Sequence, residues 1–269
     1  MSGGCVAELA GLRVERRGRP VVDGVSACIP RGSVVAVIGP NGAGKSSLLA
    51  AVAGLLRPSS GRVLVEGRDV HRLGARERAL LVSYAPAEPL PRGLGQTVEE
   101  FVAASRYPLG GGLLGPAPGD LAEARRLLAS LGAEGLAGRS LAETSSGEAQ
   151  RALVAYALAR GAPLAVLDEP TGFQDVRGRV LVYTALRRYA SRGRGVLVAT
   201  HDFLLAQHYA DLVLVLRRGR VAAAGPPGEA LTPRLVEEVY GVRVEVRPVP
   251  VPTGLASSSR QPQERPRVA

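Results

Sequence analysis

Lysine is all but missing from this chain. Lys and Arg together number 34 in 269 residues, yet Lys45 is the single lysine. Tryptophan is absent, and aromatic residues make up only 4%. The formal charge of +10 alone admits nucleic acid or an anionic membrane surface as a partner. The arginines are scattered and few rings lie between them to stack bases, so nucleic-acid binding is not expected. No apolar run approaches the roughly 18–20 residues that span a bilayer. The opening "MSGGCVAELAG" lacks a basic segment leading into an apolar one. A secretory signal, or a lipid anchor on Cys5, is therefore not expected. Two cysteines are too few for a disulfide framework. Cys5 and Cys28 are expected as free thiols in a reducing cytosol.

What is present reads as globular: 46% hydrophobic and 22% charged residues, in a chain long enough for one large domain or two small ones. "RPVVDGVSACIPRGSVVAVIG" holds two strand-like stretches separated by a turn at "PRG". The second, Ser33–Ile38, is almost wholly apolar and β-branched, as a strand buried on both faces should be. A helix follows in "KSSLLAAVAGLLRP", with Leu48, Val52 and Leu55 on one face and Pro58 as its stop. "SSGRVLVEGRDV" reads as a turn and a short strand. From about Ala87 to Arg160 the segments are helical, around a Gly/Pro-rich loop at 108–119. Strands return at 164–170, 195–202 and 211–221. "LTPRLVEEVYG" is a capped helix, with Thr232 at the N-cap, Pro233 at the first position and Gly241 past the end. From about Arg247 the chain is polar and Pro-rich, and disorder is expected. Strands alternating with helices predict a mainly parallel sheet, interrupted by an all-helical insertion.

Four segments carry chemistry. Gly39, Pro40, Asn41, Gly42, Ala43, Gly44, Lys45 and Ser46 fit the GxxxxGKS/T pattern. Its glycines let successive backbone N–H groups turn inward around an anion, and the helix that follows adds the positive end of its dipole. Lys45 would put a compact ammonium between the β- and γ-phosphates, a slot that a planar guanidinium does not fit. That need explains one lysine among so many arginines. Ser46 would place its hydroxyl on Mg²⁺. "LAVLDEPT" is an apolar strand ending in Asp168 and Glu169, where active sites of such sheets lie. Asp168 would complete the Mg²⁺ shell through water, and Glu169 would polarise an attacking water. The same acids can also be read as a solvated turn that caps the next element. His201 ends a further apolar strand and could meet the γ-phosphate, or could simply precede a helix capped by Asp202. "SSGEAQR" (145–151) is a second helix start with small residues, readable as an anion site or as a plain N-cap.

The order of these segments resembles the ATP-binding subunit of ABC transporters, from about Val14 to Val244. Walker A corresponds to Gly39–Ser46, with Ser47 beside it. The signature corresponds to "TSSGE" (144–148), Walker B to "LAVLDEP", the D-loop aspartate to Asp175 and the H-loop histidine to His201. "ASRYPLGG" (104–111) and "GPPGEALTPRLVEEVYGVRVEV" (225–246) are similar to the ATPases of iron–siderophore, haem and vitamin B12 importers. The resemblance implies a P-loop NTPase (RecA-like) α/β core with an N-terminal antiparallel β subdomain and an inserted α-helical subdomain. It implies one ATP-binding domain over 1–246, with the insertion at about 87–160 and a tail at 247–269. It implies ATP and Mg²⁺ as ligands and a head-to-tail dimer of two copies. Ser145, Gly147 and Glu148 would then act on the partner copy's ATP. It implies a membrane permease as partner, an extracytoplasmic substrate-binding protein acting indirectly, and a place on the cytoplasmic face of the membrane. The chain departs from the pattern at three positions. Ala87 stands where the Q-loop has glutamine, Ser146 where the signature has its first glycine, and Arg16 near the aromatic that stacks on adenine; Arg16 is expected to stack in its place. Two other functions share these motifs: a nucleotide-binding regulatory subunit that barely turns ATP over, and a soluble ABC-type ATPase outside transport.

Overall fold

The computed structural model describes residues 4–88, 95–110, 115–245 and residue 252. The expectation of a disordered tail from about residue 247 lies outside the described residues except at Pro252, as do residues 111–114 of the expected loop. The chain opens with β1 (Cys5–Arg16), β2 (Arg19–Pro30), β3 (Val34–Ile38) and α1 (Lys45–Val52). Next come β4 (Ser60–Val65), β5 (Arg68–Asp69), α2 (Ala75–Leu81) and β6 (Val82–Ala85). Three helices follow: α3 (Val98–Ala104), α4 (Pro118–Ser130) and α5 (Ser146–Ala159). The chain then alternates through β7 (Leu164–Asp168), α6 (Val176–Ala190), β8 (Gly195–Ala199) and α7 (Phe203–Tyr209). It closes with β9 (Leu212–Arg217), β10 (Arg220–Gly225), α8 (Pro227–Ala230) and α9 (Pro233–Tyr240).

The strands form two sheets. β2-β1-β4-β5 is antiparallel, and β10-β9-β3-β8-β7-β6 is parallel apart from the terminal β9–β10 pair. Every residue of β3, β7 and β8 is buried. Period-2 alternation splits them between two cores. Val34, Ala36 and Ile38 pack with the helices α3, α4, α5 and α6, whereas Val35 and Val37 pack with α1 and the antiparallel sheet. Each such side chain contributes about 1.5–3 kcal/mol on burial, so the central strands are fixed from both faces. The P-loop NTPase α/β class, with its antiparallel N-terminal sheet and its helices between β6 and β7, is as expected. Among the described residues no helix is long and apolar enough to cross a membrane.

Three expectations need correction. Cys5 and Cys28 are not free thiols; they are joined in a disulfide with a Cα separation of 5.5 Å. The antiparallel register sets Cys5 opposite Pro30 and Glu8 opposite Cys28, which brings the two cysteines within bridging reach. The helix through Leu55 ends earlier, at Val52. Gly54 takes a left-handed φ of 73°, and Leu55 N bonds back to Ala50 O at 2.9 Å, closing a Schellman motif that the glycine makes possible. Leu55 is left 61% exposed. Finally, 211–221 is not one strand. It folds back at Arg218 and Gly219, both at positive φ, into the β9–β10 hairpin.

Candidate nucleotide site

The parallel order β3-β8-β7 places three strand ends side by side. The loop after β3 carries Gly39–Lys45, β7 ends in Asp168 followed by Glu169, and β8 is followed by Thr200 and His201.

The loop after β3 is shaped by glycine. A Cβ on Gly39 would lie 2.4 Å from Leu216 O, and one on Gly44 would lie 2.2 Å from Val21 O. Gly42 and Gly44 also take φ of 78° and 102°, a region that side chains resist. Gly44 caps α1 without any side-chain bond, leaving the first helical amides open to a ligand. Asn41 and Ser46 are exposed at this mouth, while Ala43 and Ser47 are buried. Lys45 is 7% exposed. Its Nζ donates to Gly39 O at 2.8 Å and lies 3.4 Å from both Pro40 O and His201 Nε2. Burial holds this ammonium below its ordinary pKa, against the pull of Glu169 and Asp168. Arg16 is exposed at the end of β1, opposite Arg19, in the hairpin whose second strand packs on Gly44.

Asp168 is 3% exposed, and its Oδ1 has no hydrogen-bond partner. Burial raises its pKa, while the Ser46 hydroxyl, bonded to the same carboxylate, and Lys45 lower it. A buried orphan carboxylate oxygen beside a hydroxyl is the donor set of a hard cation. Among the described residues no group of three His, Cys, Asp or Glu could hold a metal. An ion here would therefore lean on substrate phosphates and water, as Mg²⁺ does.

Glu169 stands at φ 48°, a conformation that costs a non-glycine residue free energy and that clusters at functional sites. Its backbone N–H donates to Ala199 O at 3.0 Å, which ties β7 to the end of β8. Burial pushes its carboxyl up to about 7; Lys45 opposes this and Asp168 adds to it. His201 Nε2 lies 3.0 Å from Glu169 Oε1, without hydrogen-bond alignment. Burial first, then Lys45, holds the imidazole below its ordinary pKa. A cavity of about 580 Å³ opens beside Glu169 and His201, lined also by Thr171, Thr200, Arg179 and Asp202.

The residues expected to act on a partner's nucleotide sit together at the start of α5. Ser145 caps the helix by accepting from Glu148 N at 3.3 Å, and Glu148 Oε2 accepts from Ser145 N at 2.8 Å. The plain N-cap is therefore present, as a full capping box. Gly147 packs on the loop after β7, where Gln174 Nε2 donates to its carbonyl at 2.6 Å. The described contacts of Ser145, Gly147 and Glu148 do not include the phosphate loop of the same chain. Asp175 caps α6 by accepting from Gly178 N at 2.7 Å. Ala87 is half-buried just past β6, and Glu88 is exposed.

Sequence reasoning missed several neighbours of the site. Gln150 of α5 reaches Glu169 O at 3.5 Å, and Arg179 bonds both Gln174 O and Asp202 Oδ2 at 3.1 Å. Tyr240 stacks edge-on against Phe203 at 5.2 Å, with its hydroxyl buried near Gly39. Apart from Arg179 with Gln174, five residues away, each contact joins segments far apart in the chain. The one signal available was a glutamine directly before an Asp N-cap.

A family model described as ABC transporter matches residues 22–172. The hemin import ATP-binding protein HmuV of Streptomyces coelicolor is 43% identical over 248 residues, covering 92% of this chain and 88% of that one. The cobalamin import ATP-binding protein BtuD of Halobacterium salinarum is 38% identical over 244 residues, covering 89% of this chain and 60% of that longer one. A solved structure of an ATP binding subunit of an ABC transporter superposes with a TM-score of 0.72 at 26% identity, covering 88% and 94% of the two chains.

Proposed function

The chain belongs to the ABC transporter family of ATP-binding subunits, and from that premise we propose that it hydrolyses ATP to energise a membrane importer for haem- or cobalamin-type chelates. The observation that carries the reading is one sheet edge, where the Lys45 loop, the buried acids Asp168 and Glu169, and His201 converge. The relatives' import roles support the direction of transport and the chelate class.

Each residue at this edge has a task that its surroundings suit. Amides of Gly42–Ser47 cradle the phosphates and Lys45 neutralises the β/γ pair, with Asn41, Ala43 and Gly39 shaping the loop. Ser46 and Asp168 would hold Mg²⁺, which would supply neutralisation of the phosphate charge when bound. Glu169, with its pKa near 7, is poised to take a proton from the attacking water. His201, kept neutral by burial, contacts the γ-phosphate side. Arg16 offers its guanidinium plane to the adenine.

Two copies pair head to tail, and Ser145, Gly147 and Glu148 of each act on the other's ATP. On the cytoplasmic face of the membrane ATP closes the dimer; hydrolysis and product release reopen it, and the integral-membrane permease follows. An extracytoplasmic binding protein delivers the chelate.

The test is reconstitution of the chain with the membrane protein that co-purifies with it, in vesicles loaded with ATP and Mg²⁺ and supplied outside with the chelate and its binding protein. ATP-dependent uptake of hemin or cobalamin, with phosphate release, is the expected result. Phosphate release without uptake of any chelate would overturn the importer reading. ATP binding without turnover would overturn the ATPase.

A further inference from the structure

We propose that Gln174 and Arg179 are positioning residues that tie the N-terminus of α5 to the hydrolytic pair Glu169 and His201 of the same chain. The inference rests on the ATPase reading above and names how two parts of that machine are joined.

The joint starts at Gly147. Gln174 is 8% exposed, and its Nε2 donates to the Gly147 carbonyl at 2.6 Å. Both sides of this contact are free of side chains where they must be. A Cβ on Gly147 would lie 2.7 Å from Phe173 O, and one on Gly178 would lie 2.5 Å from Gln174 Oε1. The amide is thus seated between two glycines that leave it room.

The joint continues through a fork. Arg179 Nε donates to Gln174 O at 3.1 Å, and Arg179 Nη1 donates to Asp202 Oδ2 at 3.1 Å. One planar guanidinium therefore holds the loop after β7 and the loop after β8 at a fixed separation. Asp202 directly follows His201, and its own N–H donates to Thr200 Oγ1 at 3.0 Å. His201 Nε2 in turn lies 3.0 Å from Glu169 Oε1. A second tie runs from the same helix, where Gln150 Nε2 donates to Glu169 O at 3.5 Å. Glu169 is held at positive φ, so its backbone needs such outside support.

A shift of α5 on docking against a partner's nucleotide therefore has a hydrogen-bonded route to Asp202, next to His201, through Gln174 and Arg179, and another to Glu169 through Gln150. Contiguity alone does not establish coupling, and a mutant cycle on the full chain supplies the missing measurement. Gln174→Leu keeps bulk and removes the amide; Arg179→Met keeps an unbranched stem and removes the fork. Each is expected to lower kcat about tenfold and to leave KM for ATP within about twofold. Because the two act in series, the double variant should be no slower than the worse single one. Amide exchange gives a readout besides turnover: nucleotide should alter protection of residues 145–150 in the wild type and not in Arg179→Met. Thermal midpoints and ATP affinity close to wild type confirm folding. If Arg179→Met fails there, Gln174→Leu, which changes no charge, carries the test. Multiplying defects in the double variant, a rise in KM alone, or unchanged kcat would overturn the proposal while leaving the ATPase reading intact. A wild type without turnover would remove both.

Discussion

Replacing Lys45 by arginine keeps the charge and loses the fit. The ammonium sits 7% exposed, against two backbone carbonyls of its own loop, and a guanidinium is too broad and too flat for that seat. Lys45→Arg should weaken ATP binding by at least about a hundredfold, some 2.7 kcal/mol, and calorimetric titration measures it; wild-type affinity would remove the argument from the lone lysine. Glu169→Gln keeps size and backbone and removes the base. ATP should still bind, turnover should fall about a thousandfold, and an ATP-bound dimer should accumulate in sizing chromatography. Unchanged turnover would show that Glu169 is not the base. These residues could be found from sequence because each belongs to a short local pattern with its own chemistry. Gln174, Arg179, Gln150 and Tyr240 could not. Their partners lie 27 residues away for Gln174 with Gly147 and 23 for Arg179 with Asp202, and only the fold closes those distances.

At the scale of elements, the β1–β2 pair is stapled at Cys5–Cys28 across a sequence separation of 23. Closing a loop of that size removes about 3 kcal/mol of freedom from the unfolded chain. Reduction, or Cys28→Ser, should therefore lower the thermal midpoint by about 5–10 °C. Scanning calorimetry with and without reductant checks it, and superposable transitions would show that the staple adds nothing. Cap chemistry made some elements readable in advance. Thr232 accepts from Leu235 N at 3.3 Å and Gly241 takes φ of 70°, as the residues at those two positions of α9 demand. Apolar period misled at the end of α1, where Leu55 keeps the helical spacing but Gly54 has already turned the chain. It misled again at β9–β10, whose tight turn is made by Arg218 and Gly219 instead of an Asn-Gly or Asp-Gly pair.

Over the whole molecule, alternation of strands and helices announced a parallel sheet but not its order, and the order is what brings β7 and β8 beside β3. It also sets β6 at the sheet's edge, next to the helices α3 and α5. There an open groove of about 460 Å³ is lined by Leu55, Ala79, Tyr84, Pro86, Phe101 and Tyr156, and the chain leaves it through Ala87. Burial, with the charge of Asp168 adding to it, pushes the Tyr84 hydroxyl of this groove up to about 12. A glutamine at 87 would bridge groove and site with a carbonyl and an amide; alanine supplies neither. Glu88 does not replace it, since it is exposed, and a carboxylate brought to Asp168 and Glu169 would meet like charge. Ala87→Gln should therefore raise permease-stimulated hydrolysis severalfold, by about 1 kcal/mol or less of barrier, and leave the rate without permease unchanged. Glu88→Ala should change neither rate. Phosphate release by both variants, with and without the permease, decides the matter: loss of stimulation in Glu88→Ala, with no gain in Ala87→Gln, would show that the glutamate has taken over the link.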